Sequence, residues 1–168
     1  YIYPEMTAVE YLKFFADLYE VERPIKRAHV MLEKLGLLDA ARKRLGTFSR
    51  GMQQKVHIAR ALLHDPELLL LDEPVSGLDP HGIREVRDLI EEFKARGRTV
   101  FLSSDALSGV DEVCDRVAVM YAGKIVESTT KTRLFEEPLH PYTKFLFVSI
   151  PDAAKRGSRL KAIPGTVP

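Results

Sequence analysis

Nine residues in the middle of the chain limit its fold more than any others. Pro66-Glu67-Leu68-Leu69-Leu70-Leu71-Asp72-Glu73-Pro74 sets four successive leucines between two prolines and ends them with two carboxylates. So short and solid a run suits a strand buried on both faces of a parallel sheet. Thr99-Val100-Phe101-Leu102-Ser103 is a second candidate of the same kind. Between the two, Ile83 to Ala95 has helical spacing, with Val86, Leu89, Ile90 and Phe93 on one face and Gly97-Arg98 as its stop. Leu107 to Cys114 reads as a short helix. Arg116 to Met120 and Lys124 to Glu127 read as two strands of a hairpin turning through Ala122-Gly123. Strand, helix, strand, helix, strand is the order of an α/β layer architecture.

The front of the chain is helical. Thr7 to Tyr19 places Val9, Leu12, Phe15, Ala16 and Tyr19 at helical spacing, and Thr7 with Glu10 three residues on forms a capping-box pattern. Pro24 opens a second helix, with Ala28, Met31, Leu32 and Leu35 on one face and Gly36 closing it. Tyr1-Ile2-Tyr3-Pro4 has no cap or turn that would open a domain, so the chain reads as starting mid-domain. At the other end, Pro138, Pro141, Pro151, Pro164 and Pro168 crowd the last stretch. Thr143 to Ser149 reads as one short helix and the residues after Pro151 as an extended tail.

Composition bounds the class without naming a function. With 168 residues, 45% hydrophobic and 29% charged, the chain is long enough for one globular domain. A formal net charge of +1 gives no field to gather nucleic acid or an anionic membrane. Leu68 to Leu71 is the longest aliphatic run, far short of the ~20 residues that span a bilayer. Nothing at the start has the layout of a signal peptide. The single cysteine, Cys114, excludes an intramolecular disulfide and fits a reducing cytosol. The histidines and Cys114 show no metal-ligand spacing.

Asp72 and Glu73 are the first candidates for chemistry. They end a strand, and ligands of open α/β sheets bind at the carboxyl ends of the strands. Two carboxylates at the edge of a core lose hydration unless something uses them. A Mg²⁺ holding its waters would use one, and a water to be oriented and deprotonated the other. Taken alone, a capped turn and a solvated charge explain them equally well. Ser49 and Gly51 stand just before a helix expected over Met52 to Leu63. Free amides at a helix start, with the dipole behind them and a serine hydroxyl beside them, suit a phosphate. Alone, this too reads as an ordinary N-cap.

Together these pieces resemble the ABC ATPase family. Phe48-Ser49-Arg50-Gly51-Met52 looks like its signature motif, usually Leu-Ser-Gly-Gly-Gln, and Ile58-Ala59-Arg60-Ala61-Leu62 like the stretch that follows it. Leu68 to Glu73 resembles the Walker B strand, and Ser76-Gly77-Leu78-Asp79 the D-loop. The resemblance implies the C-terminal part of a P-loop NTPase domain with a parallel-sheet core plus a helical subdomain. It divides the chain into a helical subdomain over 1–48, an ATPase core over 49–127 and a C-terminal extension over 128–168. It also implies ATP and Mg²⁺ as cofactors. Asp72 would hold the Mg²⁺ through water, and Glu73 would be the general base. Ser49, Arg50, Gly51 and Met52 would face ATP bound on a second subunit, and Asp79 would signal across that dimer interface. Membrane permeases would be the other partners, no nucleic acid would be bound, and the location would be peripheral, on the cytoplasmic face of the membrane.

The sequence departs from the family pattern in three places. No Gly-rich loop ending in Gly-Lys-Ser/Thr occurs, so the start reads as truncated and the chain alone is expected to bind ATP poorly and to be inactive. Asp105, in Ser103-Ser104-Asp105-Ala106, stands where relatives have a switch histidine that contacts the γ-phosphate. A carboxylate there repels a polyanion unless it is protonated or screened, which points to impaired hydrolysis. Met52 replaces the usual glutamine, at a tolerant position. Leu134-Phe135, Pro138-Leu139-His140-Pro141-Tyr142-Thr143 and Lys161 to Pro168 resemble the extension of oligopeptide, dipeptide and nickel importers. Tyr3 to Leu12 and the signature segment instead resemble exporter-type ATPases. The reading is an ATP-hydrolysing transporter subunit, with peptide import, export of the multidrug type and a non-hydrolysing regulatory subunit left open.

Overall fold

The computed structural model describes residues 2–105 and 113–148. The tail after Pro151, and all but the last two residues of the helix expected over Leu107 to Cys114, lie outside them. The chain divides into two units between Asp105 and Ala106, inside the stretch 49–127 that the sequence reading treats as one core.

The first unit begins with α1 (Ala8–Leu18) and α2 (Pro24–Lys34), followed by two 3₁₀ turns at Leu38–Ala40 and Leu45–Thr47 and then α3 (Arg50–Leu62). The capping box is present in full. The Glu10 amide donates to Thr7 Oγ1 at 3.3 Å and the Thr7 amide to Glu10 Oε2 at 2.8 Å. These bonds, the backbone one first, hold the Glu10 carboxyl below its ordinary value. Helix α2 starts with Pro24 at its first position and is followed by Gly36 at φ +63°, a left-handed turn that favours glycine.

Helix α3 packs on both α1 and α2. Tyr11, Leu12, Leu32, Leu35, Leu45, Val56 and Ile58 are buried between them, each side chain contributing about 1.5–3 kcal/mol. Arg60 ties α3 to α1, donating to the Tyr11 hydroxyl at 3.0 Å with its guanidinium 4.9 Å from the centre of the Phe15 ring. Burial drives the Tyr11 pKa up against the opposing pull of Arg60. Arg27 of α2 donates to the carbonyls of Leu62 and Leu63, each at 3.1 Å, and so satisfies groups at the end of α3 that have no partner within it.

Strand β1 (Leu68–Asp72), helix α4 (Pro80–Ala95) and strand β2 (Thr99–Ser103) complete this unit. The strands pair in parallel, with Leu68 opposite Thr99 and Asp72 opposite Ser103. Asp65 fixes the entry to β1. It accepts from Arg98 at 2.7 Å and pairs with Arg96 at 2.9 Å, and the Arg98 bond holds its carboxyl below the ordinary value.

The two faces of this strand pair differ in cover. Leu69 is 3% exposed, but Leu68 and Leu70 are 53% and 66% exposed, and Phe101, opposite Leu70, is 65% exposed. Successive side chains on a strand point to opposite faces. Among the described residues of this unit only one face of the strand pair is covered, on the side of buried Leu89, Ile90 and Phe93 of α4. Among the described residues, then, the leucine run is covered on one face.

The second unit holds β3 (Arg116–Tyr121) and β4 (Lys124–Thr130), antiparallel and joined by Ala122 and Gly123 at φ +49° and +75°. Two successive positive φ values make the turn whose twist matches a hairpin. Short helices α5 (Lys131–Glu136) and α6 (Pro141–Val148) follow, α6 opening two residues earlier than the sequence reading placed it. Glu127 of β4 is nearly buried and accepts from the amides of Leu139 at 2.9 Å and His140 at 3.0 Å. Burial pushes its carboxyl up, but the two amides and the nearby His140 outweigh that and hold it below its ordinary value.

Candidate functional site

Helix α3 begins two residues earlier than its apolar spacing suggests, because Ser49 caps it. The Met52 amide donates to Ser49 Oγ at 3.2 Å, and the Gln53 amide to the Ser49 carbonyl at 2.9 Å. Arg50 and Gly51 precede any carbonyl of the helix that their amides could reach. In accepting the Met52 amide, the Ser49 hydroxyl keeps its own hydrogen to donate. Ser49 and Arg50 are exposed and Gly51 and Met52 half-exposed. Two backbone amides and a hydroxyl at the positive end of a three-turn helix are suited to an anion.

This helix start rests on the loop between β1 and α4. A Cβ added to Gly51 would lie 3.0 Å from the Gly77 carbonyl oxygen and 3.4 Å from Leu78 Cδ2, so glycine is what the close approach allows. Gly77 has φ +75°, and a Cβ there would stand 3.6 Å from Arg50 Cδ. The loop is wound by the Ser76 amide donating to the Glu73 carbonyl at 3.1 Å and the Leu78 amide to the Val75 carbonyl at 3.2 Å. It ends at Asp79, which caps α4 and accepts from the Gly82 amide at 2.8 Å. The helix expected from Ile83 thus starts at Pro80, since Asp79-Pro80 supplies both a cap and a preset first residue. Behind it, Lys55 of α3 and Glu85 of α4 form an ion pair, with side chains 12% and 14% exposed.

Asp72 and Glu73 stand at the carboxyl end of β1. The Ser103 hydroxyl bridges them: it donates to Asp72 Oδ1 and accepts from the Glu73 amide at 3.1 Å. Gln54 Nε2 donates to the carbonyls of Glu73 at 3.3 Å and Pro74 at 3.4 Å. Glu73 has φ +46°, a conformation costing a non-glycine residue on the order of 1–3 kcal/mol. Asp105, exposed, lies two residues beyond Ser103 at this same end of the strand pair.

The structure therefore gathers the candidates into two groups within one unit. Asp72, Glu73 and Asp105 share the carboxyl end of the sheet, and Ser49, Arg50, Gly51 and Met52 share the start of α3. Asp79 lies at the loop between them, its carboxylate bonded to a helix amide. Sequence reasoning missed Ser103 and Gln54 as parts of the site, since their partners lie 19 to 31 positions away and leave no local pattern. His57 is half-buried, which pushes its pKa down, and the exposed His64 ring stacks on Tyr19 at 4.2 Å between centres.

The donor set fits a magnesium nucleotide. Mg²⁺ is commonly held by one or two carboxylates, the nucleotide phosphates and its own waters, not by a cage of side chains. Asp72 presents one exposed carboxylate, and the described residues contain no group of three or more His, Cys, Asp or Glu able to hold a metal by themselves.

Comparison with known proteins identifies the sequences and folds that this chain is similar to. The family described as ABC transporter matches residues 2–76, and the oligopeptide/dipeptide transporter C-terminal region matches residues 126–168. A fluoroquinolones export ATP-binding protein of Mycobacterium tuberculosis is 45% identical over 134 residues, 79% of this chain and 43% of that protein. A probable peptide ABC transporter ATP-binding protein of Sinorhizobium fredii is 40% identical over 164 residues, 91% of this chain and 49% of that protein. This chain thus spans less than half the length of both relatives. Among solved structures, a dimeric ATP-binding cassette in a post-hydrolysis state, bound to ADP and Pi, matches with a TM-score of 0.68 and 25% identity over 77% of this chain and 58% of that one.

Proposed function

The chain belongs to the ABC transporter family of ATP-binding subunits, and from that premise we propose that it helps hydrolyse ATP to drive a solute across a membrane. The observation that carries this reading is the Asp72-Glu73 pair at the carboxyl end of β1, its backbone bonded to Ser103 on one side and Gln54 on the other. Mg²⁺ would sit at Asp72 and, when bound, would neutralise charge on the phosphates. Ser103 fixes one oxygen of Asp72 and leaves the other free to accept from metal-bound water. Glu73 orients the attacking water and takes its proton. The start of α3 serves a second nucleotide: the amides of Arg50 and Gly51 and the Ser49 hydroxyl donate to phosphate oxygens presented by another ATP-binding subunit.

Glu73→Gln tests this assignment in the full-length protein. The amide keeps the shape and loses the base, so hydrolysis should fall by about a hundredfold or more while ATP binding persists. Hydrolysis at the unchanged rate would remove Glu73 from the reaction.

The partners are a second ATP-binding subunit and membrane permeases, placing the protein peripherally at the cytoplasmic face. No helix among the described residues is long and apolar enough to cross a membrane. For the cargo, the match over residues 126–168 favours peptide import. The 45% identity to an export protein favours a second reading, an exporter. Uptake of a labelled dipeptide, present with the gene and lost on its deletion, separates the two. A third reading, a regulatory subunit that binds nucleotide without hydrolysing it, is favoured by Asp105, exposed where a repelling charge would meet the phosphates.

A further inference from the structure

Glu73 holds a backbone conformation that two things oppose. Its φ of +46° lies in the left-handed region, which suits glycine. The next residue is Pro74, whose ring biases the residue before it towards extended backbone. Such a conformation persists only where its surroundings over-determine it. Two side chains do so, one from each side of the residue. The amide is held by Ser103 Oγ of β2 at 3.1 Å, and the carbonyl by Gln54 Nε2 of α3 at 3.3 Å. The same nitrogen also reaches the Pro74 carbonyl at 3.4 Å, so the two hydrogens of one amide group serve two successive carbonyls.

We infer that Gln54 is a positioning residue for Glu73: it clamps the Glu73-Pro74 backbone and so aims the carboxylate. Rotation about the Glu73 backbone would carry its carbonyl away from Nε2, and the bonds resist it. Gln54 stands four residues after Arg50, one turn into the helix whose first amides and cap form the anion-suited end. The clamp therefore joins that helix rigidly to the backbone that aims Glu73, and a shift of α3 would be felt at the carboxylate. Gln54 itself is half-buried behind the site and bonds only backbone there. Its role runs through Glu73, and the inference rests on the reading of Glu73 as the general base.

The test compares Gln54→Met with Gln54→Lys in the full-length protein. Methionine keeps the volume and helix preference of glutamine but has no donor, whereas lysine restores one. Gln54→Met should lower kcat by about tenfold to a hundredfold, the range that displacement of a catalytic group produces. The ATP dissociation constant should stay within about twofold, because what the clamp secures is the action of Glu73 in the transition state and not in binding. Gln54→Lys should recover part of the loss. An unchanged kcat, or a fall in ATP affinity that matches the fall in kcat, would overturn the inference. A second measurement does not depend on hydrolysis. The Glu73 ¹³Cα shift and amide coupling constant should move from left-handed towards extended values in Gln54→Met, and unchanged values would overturn the clamp. If Glu73→Gln leaves hydrolysis intact, the assignment of the base fails, while this spectroscopic comparison still decides whether Gln54 fixes the backbone.

Discussion

At Gly51 an added side chain would crowd its neighbours. The atoms that an added methyl would meet include the backbone oxygen of Gly77, which cannot move without the loop that carries it. Gly51→Ala should destabilise the protein by about 1–3 kcal/mol, as overpacking does. It would be read as a lower denaturant midpoint with an unchanged slope. An unchanged midpoint would mean that the loop yields freely. Asp105 differs, being an exposed carboxylate. Asp105→His should raise ATP turnover in the full-length protein by removing a charge that repels the phosphates, and no rise would argue that Asp105 is compatible with hydrolysis as it stands. Residue by residue, the sequence marked Ser49 as standing before a helix, with an N-cap as one reading, but placed the helix start at Met52, whereas Ser49 caps it at Arg50. Ser103 and Gln54 were not legible. Each acts on backbone or carboxylate brought close only by the pairing of β1 with β2 or the packing of α3 on β1.

Among the elements, α1 and α2 were readable nearly to the residue, since Thr7, Glu10, Pro24 and Gly36 are local signals that the structure uses as such. Helix α4 was misjudged at its start because its apolar face begins later than its cap. The contact between Glu127 of β4 and the amides of Leu139 and His140 also escaped sequence reading, although Pro138 to Thr143 was marked as a unit. This contact carries a pH dependence whose sign is fixed. The Glu127 carboxyl is held below its ordinary value of 4.5 in the folded chain. Its contribution is therefore complete above that value and is lost as pH falls through the lower, folded value. Thermal stability followed from pH 7 downward should show this loss below about pH 4.5. Glu127→Gln should be less stable at neutral pH and should lose less on acidification. Parallel pH curves for the two proteins would show that Glu127 does not carry the effect.

For the whole molecule, the order of elements was enough to give an α/β chain with helices ahead of a parallel strand pair. Which strand faces are covered was not, because an unbroken leucine run looks the same whether one face or both are buried. The functional account joins two half-sites that one chain holds: Asp72 and Glu73 for one nucleotide, Ser49 and Gly51 for another. It follows that a defect in one half-site can be made good by a second subunit with a defect in the other. The direct measurement is ATP hydrolysis by mixed dimers of full-length Ser49→Arg and Glu73→Gln proteins. Each variant alone should be inactive, while the mixture should regain hydrolysis, because the mixed dimer contains one site with an intact Glu73 and an intact partner Ser49. A mixture as inactive as its components would contradict the account.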